Sequence, residues 1–163
     1  MGTALIKDMN KDYLEAINHY ENEIGINELP SVDSFTNLAF LYWAFASQQI
    51  EFNLPNNISD EWSIIGGNNF SRVLEKGLAK YPRNVELHFW KHYFPYRLFM
   101  VEFTEDDCKK ILKEYGDEES LVPYFFLNLF DKNKYKKKVD ELLHKCIDSP
   151  TAKNIYIESF IDE

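Results

Sequence analysis

Apolar residues recur every three or four positions along most of the chain, which is the spacing of one face of an α-helix. The first clear example repeats Leu14, Ile17, Tyr20 and Ile24 on one face and places polar residues on the other. This pattern predicts an amphipathic helix, and Gly25 is typical of the position at which a helix ends. A fold made mostly of packed helices is therefore expected.

Two segments are apolar around nearly their whole circumference, residues 35–46 and residues 124–130. A helix without a polar face is covered on several sides, so both segments are predicted to be helices inside the domain. Pro123 is tolerated in the first turn of the second helix. Three residues are candidates for the N-cap of the first helix: Ser31, Asp33 and Ser34.

Proline, asparagine and glycine divide this pattern into separate elements. Residues 51–58 hold one proline and three asparagines, which predicts a loop long enough to be shaped for binding. Gly66 and Gly67 interrupt the next helical run and predict a kink or a short break, because glycine in a helix costs about 1 kcal/mol relative to alanine. The apolar residues of that run are Trp62, Ile65, Phe70, Val73, Leu74 and Leu78. Acidic runs at 105–107 and 117–119 flank helix starts, where the helix dipole stabilises negative charge.

The resulting boundaries predict eight helices in one domain, residues 1–163. They group as four antiparallel pairs, at residues 8–50, 59–100, 104–130 and 131–163. Residues 96–103 and 155–161 mix β-branched and aromatic side chains and are candidate strands, although helix is favoured at each. The predicted fold class is all-α, a stack of antiparallel helical hairpins.

Within residues 70–93, Gly77 stands five positions before Pro82, and Leu87, Trp90 and Tyr93 follow on the next helix. This arrangement resembles a tetratricopeptide-type helical repeat. In that family the small residue lets neighbouring helices approach, and the proline ends the second helix of the repeat. The resemblance implies a superhelix like that of these repeats, and a compact helical array is the alternative for the fold. It implies no catalytic residues, and it favours protein binding, because such arrays present extended concave surfaces.

Composition supports an independently folded domain with an uneven charge. The 163 residues include 13 Phe, 10 Tyr and 3 Trp, an aromatic content that excludes intrinsic disorder. The net charge is −9, and a strongly acidic surface disfavours binding to nucleic acid. The first 70 residues hold two lysines and ten acidic residues, a net charge of −8, which leaves −1 for the remainder. The acidity is therefore concentrated in the first part of the chain.

Several locations and chemistries have no support in the sequence. No segment is long and apolar enough to span a membrane, and residues 1–8 lack the pattern of a signal peptide, so a cytoplasmic protein is expected. Cys108 and Cys146 are far apart and are expected to be ordinary reduced cysteines. No phosphate-binding glycine motif occurs and no cofactor is expected. The lysines at 132–138 are interpreted as a solvated helix face.

His88 and His92 are four positions apart, which would place two imidazoles on one helix face, as a zinc site requires. Phe89 stands where a metalloprotease helix would have its glutamate, and no third His or Cys is near in sequence. A polar helix face is the favoured interpretation, and no metal site is predicted. A hydrolase that uses these histidines and nearby acids remains a third hypothesis.

The first functional hypothesis is a non-enzymatic binding protein whose acidic first half docks a basic protein partner. An immunity protein or antitoxin that neutralises a nuclease-type toxin would have this character. The candidate contact residues are the acidic Glu21, Glu23, Glu28, Glu51, Asp60 and Glu61, with Phe52 and Trp62 as aromatic anchors. The alternative is a tetratricopeptide-like scaffold or regulatory module that binds peptides. That alternative predicts a concave groove lined with Asn, Lys and Tyr, whereas the first hypothesis predicts an acidic patch.

Overall fold

The computed structural model describes residues 2–116 and 120–161, and every regular element in these ranges is helical. An all-α fold is thereby confirmed. Nine α-helices and one π-helical turn follow in the described chain: α1 Thr3–Met9, α2 Tyr13–Ile26, α3 Val32–Ser47, the π-turn Gln49–Asn53, α4 Glu61–Lys80, α5 Val85–Phe99, α6 Glu105–Glu114, α7 Tyr124–Leu127, α8 Lys136–Asp148 and α9 Ala152–Ile161. Residues 117–119, where an acidic helix start was expected, lie outside the described ranges.

The two candidate strands are not strands. Residues 155–161 belong to α9, so the preference for helix is confirmed there. Residues 96–99 complete α5, after which the chain is irregular as far as Thr104. None of the described helices is long and apolar enough to cross a membrane.

The helix α3 is the centre of the fold, as its apolar circumference predicts. Its residues from Ser34 to Phe45 are all buried, and α2, α4, α5, α9 and the π-turn pack around it. Ser31 provides the N-cap, because its side chain accepts a hydrogen bond from the backbone N–H of Ser34. Trp43 stacks on Phe94 of α5, with ring centroids 4.9 Å apart.

The second all-apolar segment is buried only as far as Asn128, because Leu129 and Phe130 are each 50% exposed, and its last three residues are not α-helical. Only Tyr124–Leu127 forms a single α-helical turn, and Phe125 and Phe126 are almost fully buried. The backbone then continues in turns whose hydrogen bonds span three residues, from the N–H of Leu129 to the carbonyl of Phe126 and onward. Hydrophobicity correctly predicted burial of Phe125, Phe126 and Leu127 but not of the last two residues, and short apolar runs do not determine which backbone conformation they take.

No break occurs in α4 at Gly66 and Gly67, so the predicted short break is wrong. A β-carbon placed on Gly66 would lie 2.1 Å from the backbone carbonyl oxygen of Tyr42 on α3. The glycine therefore allows the two helix backbones to approach closely. Gly77 lies three helical turns later on the same face, and a β-carbon there would be 2.9 Å from the side chain of Leu87.

A buried ion pair, absent from the sequence-based expectations, joins α9 to α5 and α3. The ammonium of Lys153 lies 3.0 Å from Glu86 Oε2 and donates to the hydroxyl of Thr36 at 3.0 Å. Glu86 also accepts from the indole N–H of Trp90. Desolvation lowers the pKa of Lys153, but nearby carboxylates, foremost that of Glu86, outweigh it and hold this pKa above its usual value.

Asp8 connects α1 to α9 and is fully buried. Its carboxylate accepts the hydroxyl of Tyr20 at 2.8 Å and the backbone N–H of Ala152, at the start of α9, at 2.8 Å. Desolvation raises the pKa of Asp8 to about 6, against the opposing effect of these two hydrogen bonds.

This raised pKa makes stability depend on pH in a defined direction. Because the folded carboxyl binds a proton more tightly than the unfolded one, the contribution of Asp8 to the free energy of unfolding falls as pH rises from about 4 to about 6. Relative to an Asp8→Asn variant, the wild type should lose up to about 3 kcal/mol over that window. Urea unfolding of both proteins at intervals between about pH 4 and about pH 7 measures this difference. Parallel pH profiles would contradict the expectation, and Asp60→Asn, an exposed carboxyl, is the control.

Candidate protein-docking surface

The C-terminal end of α3 is covered by the π-turn on one side and by the first turns of α4 on the other. Phe45 lies between them, with its ring 6.0 Å from that of Phe52 and 5.7 Å from that of Trp62. Both predicted anchors are half-buried rather than free, because each packs against the core through one side of its ring.

Three aliphatic side chains are largely exposed here, Ile50 at 75%, Leu54 at 73% and Ile64 at 69%. Three exposed acids stand among them in sequence, Glu51, Asp60 and Glu61. These six residues, which we call the acidic corner, come from the π-turn region and the start of α4. None of its three acids forms an ion pair with another residue in the described ranges.

Asparagine side chains shape the loop that carries half of the acidic corner. The amide of Asn53 is buried and donates to the carbonyl of Phe45 at 2.8 Å, which ties the π-turn to the end of α3. The amide of Asn56 donates to the carbonyl of Phe52 at 2.8 Å. Asn57 takes a left-handed backbone conformation with φ of 56°, which asparagine tolerates better than most residues. The asparagine-rich loop expected at 51–58 is therefore present, with a π-turn as its first part.

The structure divides the eight predicted contact residues into two groups. Phe52 and Trp62 both contact Phe45 at the C-terminal end of α3, and Glu51, Asp60 and Glu61 are exposed within two residues of them in sequence.

The remaining three predicted residues lie on α2 and in the connection between α2 and α3. Glu23 accepts a hydrogen bond from Ser34 at the start of α3, and Glu28 is exposed in the connection between α2 and α3. A 16-residue helix is about 24 Å long, so these two are a helix length from the acidic corner. Glu21 pairs with Arg72 at 2.5 Å and accepts the hydroxyl of Tyr42 at 2.7 Å.

Fewer of the acidic residues among the first 70 are available to a partner than their net charge of −8 suggests. Asp8 is buried, and Lys7 pairs with Glu15 at 2.6 Å, so part of the negative charge is used within the fold.

The aliphatic members of the acidic corner were not among the predicted contacts. Ile65, expected on the inward face of α4, is 36% exposed, because that face follows Gly66 and Phe70 instead. If Gly66 had been interpreted as the position at which α4 contacts another helix, helical spacing would have predicted that Ile64 is exposed.

A concave surface lies next to the acidic corner and shares the π-turn with it. It encloses about 790 Å³, and five aromatic residues line it: Tyr13, Phe40, Phe52, Tyr156 and Phe160. We call it the aromatic groove. Lys11 and Arg97 also line it, from the turn between α1 and α2 and from the end of α5.

His88 and His92 lie on α5 but do not act together. The ring of His88 stacks on Tyr115 with centroids 3.6 Å apart, and its Nε2 is 2.7 Å from the carbonyl oxygen of Pro82. Nδ1 of His92 is 2.8 Å from the carbonyl oxygen of His88. Within the described ranges, no group of three or more His, Cys, Asp or Glu side chains is arranged to hold a metal ion.

No protein-family model matches the chain, and no significant match was found among curated proteins or solved structures. A functional proposal therefore depends on the geometry and charge of the surfaces described above.

Proposed function

We propose that this protein is a non-enzymatic protein-binding domain that docks a basic protein partner on its acidic corner. The observation that carries the proposal is the exposure of Ile50, Leu54 and Ile64 beside three acids that have no ion-pair partner in the described chain. Contiguous exposed apolar side chains rimmed by polar groups are typical of protein interaction sites.

The two kinds of residue in the acidic corner would have different roles in such a complex. Burial of the aliphatic side chains would supply affinity, at roughly 25 cal/mol for each Å² of apolar surface removed from water. The carboxylates of Glu51, Asp60 and Glu61 would accelerate association with a positively charged surface and would orient it. Phe52 and Trp62 are held rigidly against Phe45, so little conformational entropy would be lost at the base of the interface.

A finer version of the proposal is that the partner is a nuclease-type toxin and that this protein is its immunity protein or antitoxin. Enzymes that cleave nucleic acid carry a positive surface along the phosphate path, and an acidic protein that covers this surface excludes the substrate. The support is the net charge of −9 together with the unpaired acids of the acidic corner. This version predicts that the partner cleaves nucleic acid alone and loses the activity in a stoichiometric complex.

The test uses a triple charge reversal, Glu51→Lys, Asp60→Lys and Glu61→Lys, and the partner recovered from the protein's own cells at low salt. The variant should associate with the partner at least about 10-fold more slowly, because the attractive field at the docking surface is inverted. Stopped-flow or biosensor measurement of the association rate at several salt concentrations detects this change.

A matched control reverses three exposed acids that lie outside both the acidic corner and the predicted contacts, Glu102→Lys, Glu141→Lys and Asp148→Lys. Both triple variants have nearly the same net charge, so a purely global electrostatic effect would slow them equally. Equal slowing would therefore count against the acidic corner. A complex that is insensitive to both variants would refute charge-guided docking altogether.

The peptide-binding scaffold remains a second candidate because one observation favours it. The aromatic groove contains Lys11, Tyr13, Asn56 and Tyr156, the residue types expected for a peptide groove. The two candidates differ in location, since charge reversal at Asp60 and Glu61 would leave a ligand of the groove in place. Partner binding that survives the double reversal Asp60→Lys and Glu61→Lys but is lost on substitution of Tyr156 would favour the scaffold.

A further inference from the structure

The aromatic groove has the dimensions of a small-molecule or side-chain binding site. Its volume of about 790 Å³ lies within the range of roughly 300–1,000 Å³ typical of such sites. Rings from α2, α3, the π-turn and α9 form its walls, so a flat apolar group could contact aromatic surface on several sides. The hydroxyl of Tyr156 is 2.5 Å from that of Tyr93 and is already hydrogen-bonded. Charge-based recognition therefore depends on the two cations.

Arg97 is positioned by one of these rings. Its guanidinium carbon lies 5.7 Å from the centre of the Phe160 ring, a cation–π contact. A guanidinium held in this way can present parallel N–H groups to a planar acceptor, and a carboxylate matches that geometry. Arg97 forms no ion pair within the described ranges, although the chain has 27 acidic residues.

Lys11 is the second cation, and the backbone alone determines its position. Its φ of 65° is left-handed, which costs a non-glycine residue roughly 1–2 kcal/mol. Hydrogen bonds from the N–H groups of Lys11 and Asp12 to carbonyls of α1 hold the turn at 2.9 Å each. The Lys11 ammonium likewise has no ion-pair partner in the described chain. Lys11 and Arg97 thus bring two positive charges to one groove, where Glu51 is the one acid among the lining residues, so a bound anion would meet a net positive charge.

From this geometry we infer that the aromatic groove binds a monoanion in which a carboxylate is joined to a flat apolar group. The carboxylate would interact with Arg97 and Lys11, and the apolar group would pack against the rings. Glu51 also lines the groove and disfavours a second negative charge on the ligand. Free aromatic acids and peptides that end in an aromatic residue both carry this chemistry.

This inference does not rest on docking at the acidic corner, because Lys11 and Arg97 lie outside the acidic corner. The two can therefore fail separately. A groove that binds carboxylates would remain if no basic partner were found, and partner docking would remain if the groove bound nothing.

The test is isothermal titration calorimetry of the full chain with naphthoate and with its uncharged amide, naphthamide. Naphthoate should bind at least about 10-fold more tightly, because only the acid forms charge-assisted hydrogen bonds. Arg97→Gln and Lys11→Gln should each weaken naphthoate binding by about 10-fold and leave naphthamide unaffected. Lys80→Gln, an exposed cation outside the groove, is the matched control. Equal affinity for acid and amide, no binding of either at millimolar concentration, or binding unchanged in both groove variants would overturn the inference.

Short peptides distinguish the two sources of the ligand. A peptide that ends in Phe with a free carboxylate is compared with the same peptide amidated at its C-terminus. If the free form binds as tightly as naphthoate and the amidated form does not, the ligand is a peptide terminus. If naphthoate binds and neither peptide does, the ligand is a small free acid. Thermal melts followed by circular dichroism verify that each variant is folded, and the comparison of acid with amide on the wild type needs no variant.

Discussion

Replacement of Lys153 by methionine is expected to lower the free energy of unfolding by about 3–5 kcal/mol. Lys153 is 4% exposed and pairs with Glu86, which is itself 9% exposed. Removal of the ammonium leaves the carboxylate buried without a cation, and the cost of that uncompensated charge exceeds the gain from the apolar methionine. Urea or thermal unfolding of the wild type and the variant measures the loss.

A double variant separates this cause from a simple packing defect. Lys153→Met combined with Glu86→Gln removes both charges and retains an acceptor for the indole N–H of Trp90. It should recover about 2 kcal/mol or more of the lost stability, because replacing both members of a buried pair is often close to neutral. Lys76→Met, at an exposed position on α4, should change stability by less than about 0.5 kcal/mol. A double variant as unstable as the single one would assign the loss to packing instead of charge.

The second large effect is expected for Gly66→Ala, which should destabilise the protein by about 2–3 kcal/mol although alanine is the better helix former. The added methyl group would lie 2.1 Å from the carbonyl oxygen of Tyr42, a backbone atom that cannot rotate away. The helices α3 and α4 would have to separate, and the aromatic packing around Phe45 would loosen. Chemical denaturation is again the measurement.

Gly67→Ala is a nearly ideal control for this variant. A β-carbon at Gly67 would be 3.8 Å from the β-carbon of Ala46, an ordinary van der Waals distance. This substitution should stabilise the protein by about 0.5–1 kcal/mol through the usual helix preference of alanine over glycine. Opposite signs at two adjacent glycines would establish close contact between α3 and α4. Stabilisation by both would show that the helices are not so close in solution.

The same glycines show which parts of the fold were predictable from sequence. The amphipathic repeat of α2 and the apolar circumference of α3 arise from the positions of many residues, so periodicity predicts them well. Gly66 was interpreted as a helix interruption because local propensity is the only property of a glycine visible in sequence. Its actual role depends on a carbonyl oxygen of Tyr42, 24 positions earlier in the chain, and no local pattern contains that contact.

Lys153 and the acidic corner illustrate a related limit. A single lysine in the first turn of a helix looks like a surface residue, and burial becomes evident only when Glu86 and Thr36 are brought to it from two other helices. In the acidic corner, clustered acids near Trp62 correctly suggested an exposed charged surface. The exposure of Ile50 and Ile64 was not predictable, since it depends on which face of α4 meets α3.

The hydrogen bond from the N–H of Ala152 to Asp8 joins residues that are 144 positions apart. In an open array each helical unit contacts only its neighbours, so the first units could fold while later ones are still being synthesised. Here the buried carboxylate of α1 receives its backbone partner only when α9 is available. On the ribosome, Asp8 should therefore lack this hydrogen bond until α9 has emerged from the exit tunnel, so the last step of folding should wait for the C-terminal helix.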